Sequence, residues 1–253
     1  MLDLQVLLFI DNRSTEIHQQ MKRSQNRIIE TMPQEFETLA DVRQFWQIIM
    51  NRNYHFNKSI QQLDLQRIQE QRLDTPWEDS ANMQDGEMLL GNASTERPWP
   101  LKEEQSLYRN DIDIWSATFA PLYSRILLGT KKREQVAAAI LKVQTQINHI
   151  MLAGTPFTTE SAYDQFLPNF QSIVLLSSII IPYLSPAATA SEPKFQFDIG
   201  IVAALFLVGS RCRNEDKTRV RAIEMLLGCR LREGIWDSLS VGHMARWIRS
   251  LEV

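Results

Sequence analysis

The sequence predicts an all-α protein: an irregular, solenoid-like helical array of about nine or ten helices. Three observations lead there. Apolar residues recur at three- and four-residue spacing along most of the chain. No period-two run joined by a hairpin dipeptide occurs. Most helical stretches are separated by short turns, and no fixed-period repeat points to a particular repeat class.

The elements follow in order. Residues 4–32 read as helix from Leu4, Leu7, Leu8, Ile17, Met21, Ile28 and Met32, with a break near Asp11 and a stop at Pro33. Thr38 caps a second helix that carries Val42, Phe45, Trp46, Ile49 and Met50. Residues 57–74 read as a third, polar on most of its surface and placed at the edge of the fold. Residues 75–101 are rich in proline, glycine and polar side chains, and read as an irregular loop or insertion. A lid or partner-binding segment using Trp77 and Trp99 is the alternative there.

Periodicity returns at 102. Tyr108, Ile112, Trp115, Phe119 and Leu122 share a stripe of a helix interrupted at Pro121. Residues 131–152 turn Val136, Ile140, Val143, Ile147, Ile150 and Met151 inward, and Gly154 and Pro156 end that helix. Next come a helix over 158–184, begun or kinked at Pro168, and a Pro/Ala/Ser loop over 185–196. A helix over 198–210, apolar almost all round, belongs in the middle of the bundle. Helices over 216–229 and 236–251 complete the chain. The expected organisation is 1–74 as N-terminal helices, 75–101 as insertion and 102–253 as the C-terminal helical core.

Composition excludes several functions. The net charge of −3 gives no basic footprint for nucleic acid. The run Lys131-Lys132-Arg133 is short, is followed by Glu134, and reads as a solvated helix start. Cys212 and Cys229 lie too far apart for a metal signature and read as small buried side chains, so no metal or cofactor is expected. Few cysteines and no recognisable signal segment point to a reducing interior. The apolar runs 173–184 and 199–209 fall short of a bilayer span, so both read as buried core helices and no membrane is expected.

Chemistry is sparse. Phosphate-loop, nucleophile-elbow and HExxH patterns do not occur. Asp111 and Asp113 sit two apart on a helix, face different directions and read as a polar face beside Trp115. The aromatic richness leaves one option open, an apolar pocket, for which Trp115, Phe119, His149, Tyr163 and Phe206 are the candidate contacts.

The stretch Arg232-Glu233-Gly234-Ile235-Trp236-Asp237-Ser238 reads as a structural corner. Arg232 and Glu233 close one helix, and Gly234 takes the left-handed backbone that ends it. Ile235 and Trp236 bury at the joint, and Asp237 or Ser238 caps the next helix.

Three blocks in order carry a resemblance: residues 160–178 (ESAYDQFLPNFQSIVLLSS), 195–227 (FQFDIGIVAALFLVGSRCRNEDKTRVRAIEMLL) and 232–238 (REGIWDS). Together they resemble the C-terminal regulatory region of fungal Zn2Cys6 zinc-cluster transcription factors. The likeness extends over 105–253, and loosely over 4–35. It implies an all-α regulatory domain of a nuclear factor that senses metabolites or contacts partners. The family's six-cysteine cluster has no counterpart here, so direct DNA recognition is not implied. Either an excised piece or a stand-alone relative without its zinc cluster is expected.

Two functions follow as expectations. The first is a regulatory or interaction module that binds a protein partner or a small apolar ligand, in the nucleus, without direct nucleic-acid binding, in control of a secondary-metabolite pathway. The alternative is a stand-alone, metal-independent cyclase or isomerase of natural-product biosynthesis that works through an apolar pocket; a cytoplasmic location is the alternative to the nucleus.

Overall fold

The computed structural model describes residues 15–73, 101–185, 194–196 and 200–252, with backbone alone at 15–18, 63–73 and 194–196. The apolar start with Leu4, Leu7 and Leu8, the connection with Trp77 and Trp99, and most of the 185–196 loop lie outside the described residues. So does the expected helix start at 198.

The described residues are mostly helical. They hold eight α-helices: α1 (Thr15–Glu30), α2 (Leu39–Leu73), α3 (Lys102–Leu128), α4 (Lys132–Ala153), α5 (Leu167–Leu184), α6 (Val202–Arg211), α7 (Asp216–Gly228) and α8 (Ser238–Ser250). A 3-10 helix, Glu160–Phe166, precedes α5. The expectation of about nine or ten helices is not met within this set, and one reason lies in α2. The helix expected after Thr38 and the one expected from 57 are a single helix of 35 residues, Leu39–Leu73.

Local chemistry sets the ends. The Thr38 hydroxyl accepts from the Asp41 amide at 3.2 Å and donates to its carboxylate at 2.8 Å, which starts α2. Pro168 lies in the first turn of α5, where a missing N–H is harmless. Glu215 starts α7 by accepting from the Thr218 amide at 2.6 Å. Pro121 does not interrupt α3, which runs through it. The carbonyl it releases belongs to Ala117 on the exposed side, where water can bond it.

Two cores form, and α4 belongs to both. Ala138, Leu141 and Leu152 face the first, with Val42, Trp46, Ile49 and Phe56 of α2 and Ile112, Trp115 and Phe119 of α3. Val136, Ala139, Val143 and Ile150 face the second, with Phe170, Ile173 and Ile180 of α5 and Val202, Leu205 and Val208 of α6. Met151, expected inward, is exposed between these faces. α2 and α4 run in the same direction. Side-chain bonds Trp46–Gln144 (3.1 Å), Asn53–Asn148 (2.8 Å) and Asn57–Thr155 (3.0 Å) tie them at successive levels.

α6 sits in the middle of the second core, packed by α5, α7 and α8, as its apolar sequence requires. α5 does not fit the expectation of a buried core helix. Phe170, Ile173, Ser177 and Ile180 are buried, but Leu175 is 65% exposed, and Ile179 and Tyr183 are exposed too. Hydropathy gives the apolar content of a segment; the number of neighbouring helices gives how many faces are covered.

A small sheet departs from the purely helical expectation. Strands β1 (Lys194–Gln196), β2 (Leu231–Glu233) and β3 (Trp236–Asp237) form it in that order. β1 pairs parallel to β2, and β2 pairs antiparallel to β3 with Glu233 opposite Trp236. Strands of two or three residues carry no periodic signal that a sequence could display.

Candidate functional site

The five candidate pocket residues do not meet around one space. Trp115 and Phe119 are fully buried in the first core. Trp115 meets the Trp46 ring at 4.8 Å and Phe119 at 5.1 Å, both tilted, and Phe119 meets Tyr123 edge-on at 5.5 Å. The Trp115 indole N–H donates to the Val42 carbonyl at 3.2 Å. Tyr163 and His149 belong to an aromatic group between α4 and the 3-10 helix, with Phe157 at 5.2 Å from Tyr163 and Phe166 at 5.9 Å from His149. Burial, helped by Arg109, lowers the His149 pKa below the usual histidine value. Phe206 packs elsewhere, 6.0 Å from Trp236. An open cleft of about 370 Å³ lies at the α3–α4 turn, between Leu122, Arg125, Gly129 and Glu134, away from all five.

The corner is a hairpin rather than a helix end. Arg232 and Glu233 lie in β2, and Gly234 makes the turn at φ +58°. Trp236 is half-buried in β3, and Ile235 at the tip is 88% exposed, not buried as the apolar pair suggested. Asp237 caps α8 by accepting from the Ser240 amide at 2.9 Å. The central feature is Glu233, 1% exposed. Its carboxylate accepts from the amides of Gly200 (3.0 Å), Ile201 (2.9 Å) and Val202 (2.9 Å). These are N–H groups at the start of α6, where a helix leaves donors unpaired and its dipole favours an anion. Burial pushes the carboxyl pKa up, and the three bonds pull it down. Gly200 permits this approach, because a Cβ there would collide with Glu233 Oε1. The acid of the Arg-Glu-Gly corner is therefore the clamp between hairpin and α6.

The turn from α6 to α7 gathers charges. Arg211 pairs with Glu160 and lies 5.1 Å over the Tyr163 ring. Arg219, 4% exposed, donates to the Gly209 carbonyl at 2.9 Å and to Glu252 at 2.6 Å. Arg213 reaches the other oxygen of Glu252 at 2.9 Å. These arginines hold the Glu252 carboxyl pKa below the usual range. They tie the end of α8 to the turn. Cys212 and Cys229 are buried thiols, with Cys212 pushed up to about 11 by burial.

A second buried polar group runs through the first core. Arg52, 3% exposed, donates to Asp111 at 2.6 Å and to Asn26 at 3.0 Å, and lies 4.0 Å over the Tyr108 ring. Tyr108 donates to Glu104 at 2.5 Å, and Lys22 pairs with the same oxygen. Asp111, read from sequence as a polar face, thus has a buried partner on α2. Sequence reasoning missed Arg52 and Asn53. A signal existed: Asn53 lies between Ile49 and Phe56 at core spacing.

These charged groups are spent on one another, and no group of three or more metal-ligating side chains forms among the described residues. Beyond these groups, large apolar side chains also stand outward. Glu160–Leu184 is long and apolar enough to cross a membrane by length and composition alone, unlike the shorter run 173–184, yet one stripe of it is packed in the second core. α8 exposes Met244, Trp247 and Leu251 beyond its end. No family model, curated protein or solved structure matches the chain.

Proposed function

We propose that this chain is a regulatory or interaction module, like the C-terminal region of fungal zinc-cluster transcription factors that its three sequence blocks resemble, and that it works by surface contact. The observation that carries the reading is where the apolar side chains lie. The candidate pocket residues Trp115 and Phe119 are buried among other core side chains, and large apolar side chains stand exposed at helical spacing on α5 and α8. Exposed contiguous apolar faces mark contact surfaces. The net charge of −3 speaks against direct DNA binding, since phosphate contacts need a basic surface. The same resemblance suggests the nucleus and control of a secondary-metabolite pathway. The cyclase or isomerase alternative calls for an enclosed apolar pocket, whereas Trp115 and Phe119 are buried against other rings.

The test is a reporter assay with the whole chain fused to an unrelated DNA-binding domain in a fungal host. Trp247→Glu or the pair Leu175→Glu/Ile179→Glu should abolish any change in reporter output while leaving the melting temperature within about 2 °C. Unchanged output from both variants, or binding of duplex DNA by the chain alone at physiological salt, would remove the reading.

A further inference from the structure

The two outward apolar faces differ in charge, and that difference assigns a partner to one of them. Val241, Gly242 and Ala245 turn α8 to the core. The opposite face presents Met244 (50% exposed), Trp247 (60%) and, just past the helix, Leu251 (65%). Their spacing of three and four residues is that of one helix seated along another. Leu239, at the start of α8, and the hairpin tip Ile235 are exposed as well.

Among the described residues, the acids close to it in the chain already have partners. Arg249 is held by Asp216 at 2.7 and 2.9 Å. Glu252 is held by Arg213 and Arg219. Glu233 is turned inside against the α6 amides, and Asp237 caps α8 opposite Arg232 across the hairpin. Each of these acids is thus engaged. Arg246 is exposed, and among the described residues it meets no acid within 4 Å, its contact being the His243 ring at 2.9 Å. The α5 face, by contrast, has no charged residue between Asp164 and Glu192.

We infer that the α8 face receives an acidic amphipathic helix of a partner protein, with apolar side chains at three-four spacing and Asp or Glu beside them. This rests on the interaction-module reading and adds the partner's chemistry to it. Met244, Trp247 and Leu251 supply the buried anchors, as aromatic side chains at interface centres commonly do. Arg246 selects the sign of the partner and speeds encounter more than it holds the complex.

Two fluorescein-labelled synthetic helices test this. They share leucines at i, i+3, i+4 and i+7 and carry glutamate or lysine elsewhere. Anisotropy with the whole chain should show the glutamate helix binding about tenfold more tightly than the lysine helix, with the preference shrinking as salt rises. Trp247→Ala should weaken it about tenfold, with an unchanged circular-dichroism melt. Arg246→Glu should remove the preference for glutamate. Leu175→Gln/Ile179→Gln should change nothing. Equal binding of both helices, or unaltered binding by Trp247→Ala, overturns the assignment. So does no binding of either helix, while the reporter assay judges the module reading separately. Loss of binding on α5 substitution alone would keep the module reading and remove α8 as the acidic-helix face.

Discussion

The first core buries a cation paired across two helices, and the second buries an acid held by backbone amides. Around α2 and α3, Arg52 and Asp111 pair in the interior, and Asn53 and Asn148 bond beside them. Around α6, the interior is aliphatic and aromatic, Arg211 and Arg213 pair at the rim, and Arg219, 4% exposed, pairs with Glu252 at the α6–α7 turn. The one buried acid among the described residues, Glu233, is held by backbone amides and no cation. The difference teaches how each half is specified. Buried pairs fix partner and register, because a slip strands a charge. An aliphatic core is fixed by shape and volume. α4 shows both rules on one helix, with Gln144 and Asn148 bonded on one side and Val143 and Ile150 packed on the other.

The sharpest way to break this contrast is to cut the buried pair. Arg52→Met should destabilise the chain by about 3–5 kcal/mol, measured by urea denaturation, because Asp111 is left charged and unpaired. Arg52→Met/Asp111→Leu should recover most of that loss. In the second core, Ile180→Ala should cost about 2–5 kcal/mol through the cavity it leaves. Near-ultraviolet signals of Trp46 and Trp115 and the far-ultraviolet signal should still melt together, since α4 couples the halves. Separate transitions would show the cores to be independent.

Smaller effects sharpen the picture. Glu233→Gln should cost about 1–3 kcal/mol, because an amide offers one acceptor oxygen to three donors. Gly234→Ala should cost about 1 kcal/mol at its positive φ. The smallest effect concerns His149, whose pKa burial lowers below the usual 6.5. The unfolded chain then takes up the proton first, so stability is present above that value and falls as pH drops through it. His149→Phe should flatten this decline between pH 7 and 5, by less than about 1 kcal/mol, in paired thermal melts.

Much of the fold was legible in the residues, and the departures share one cause. The stripe Val42, Trp46, Ile49 and the stripe Tyr108, Ile112, Trp115, Phe119 announced their helices and their buried faces. The continuity of α2 was hidden, because Arg52, Asn53 and Asn57 look like a solvated joint until Asp111, Asn148 and Thr155 stand opposite them. Gly234 signalled a left-handed residue correctly, while its setting, a hairpin, depended on β1 arriving alongside β2. Glu233 could be named as part of a corner, but not as an acid held by amides more than thirty positions away.

The sequence by itself determined the all-α character, the central place of α6 and the weak charge, since periodicity, hydropathy and composition are properties of the chain alone. Only the tertiary structure decided which polar residues go inside, which face of α5 stays in water, and that α4 serves two cores. The reason is physical: burying a polar or charged group is tolerated only when a distant partner satisfies it, and distance along the chain says nothing of who that partner is.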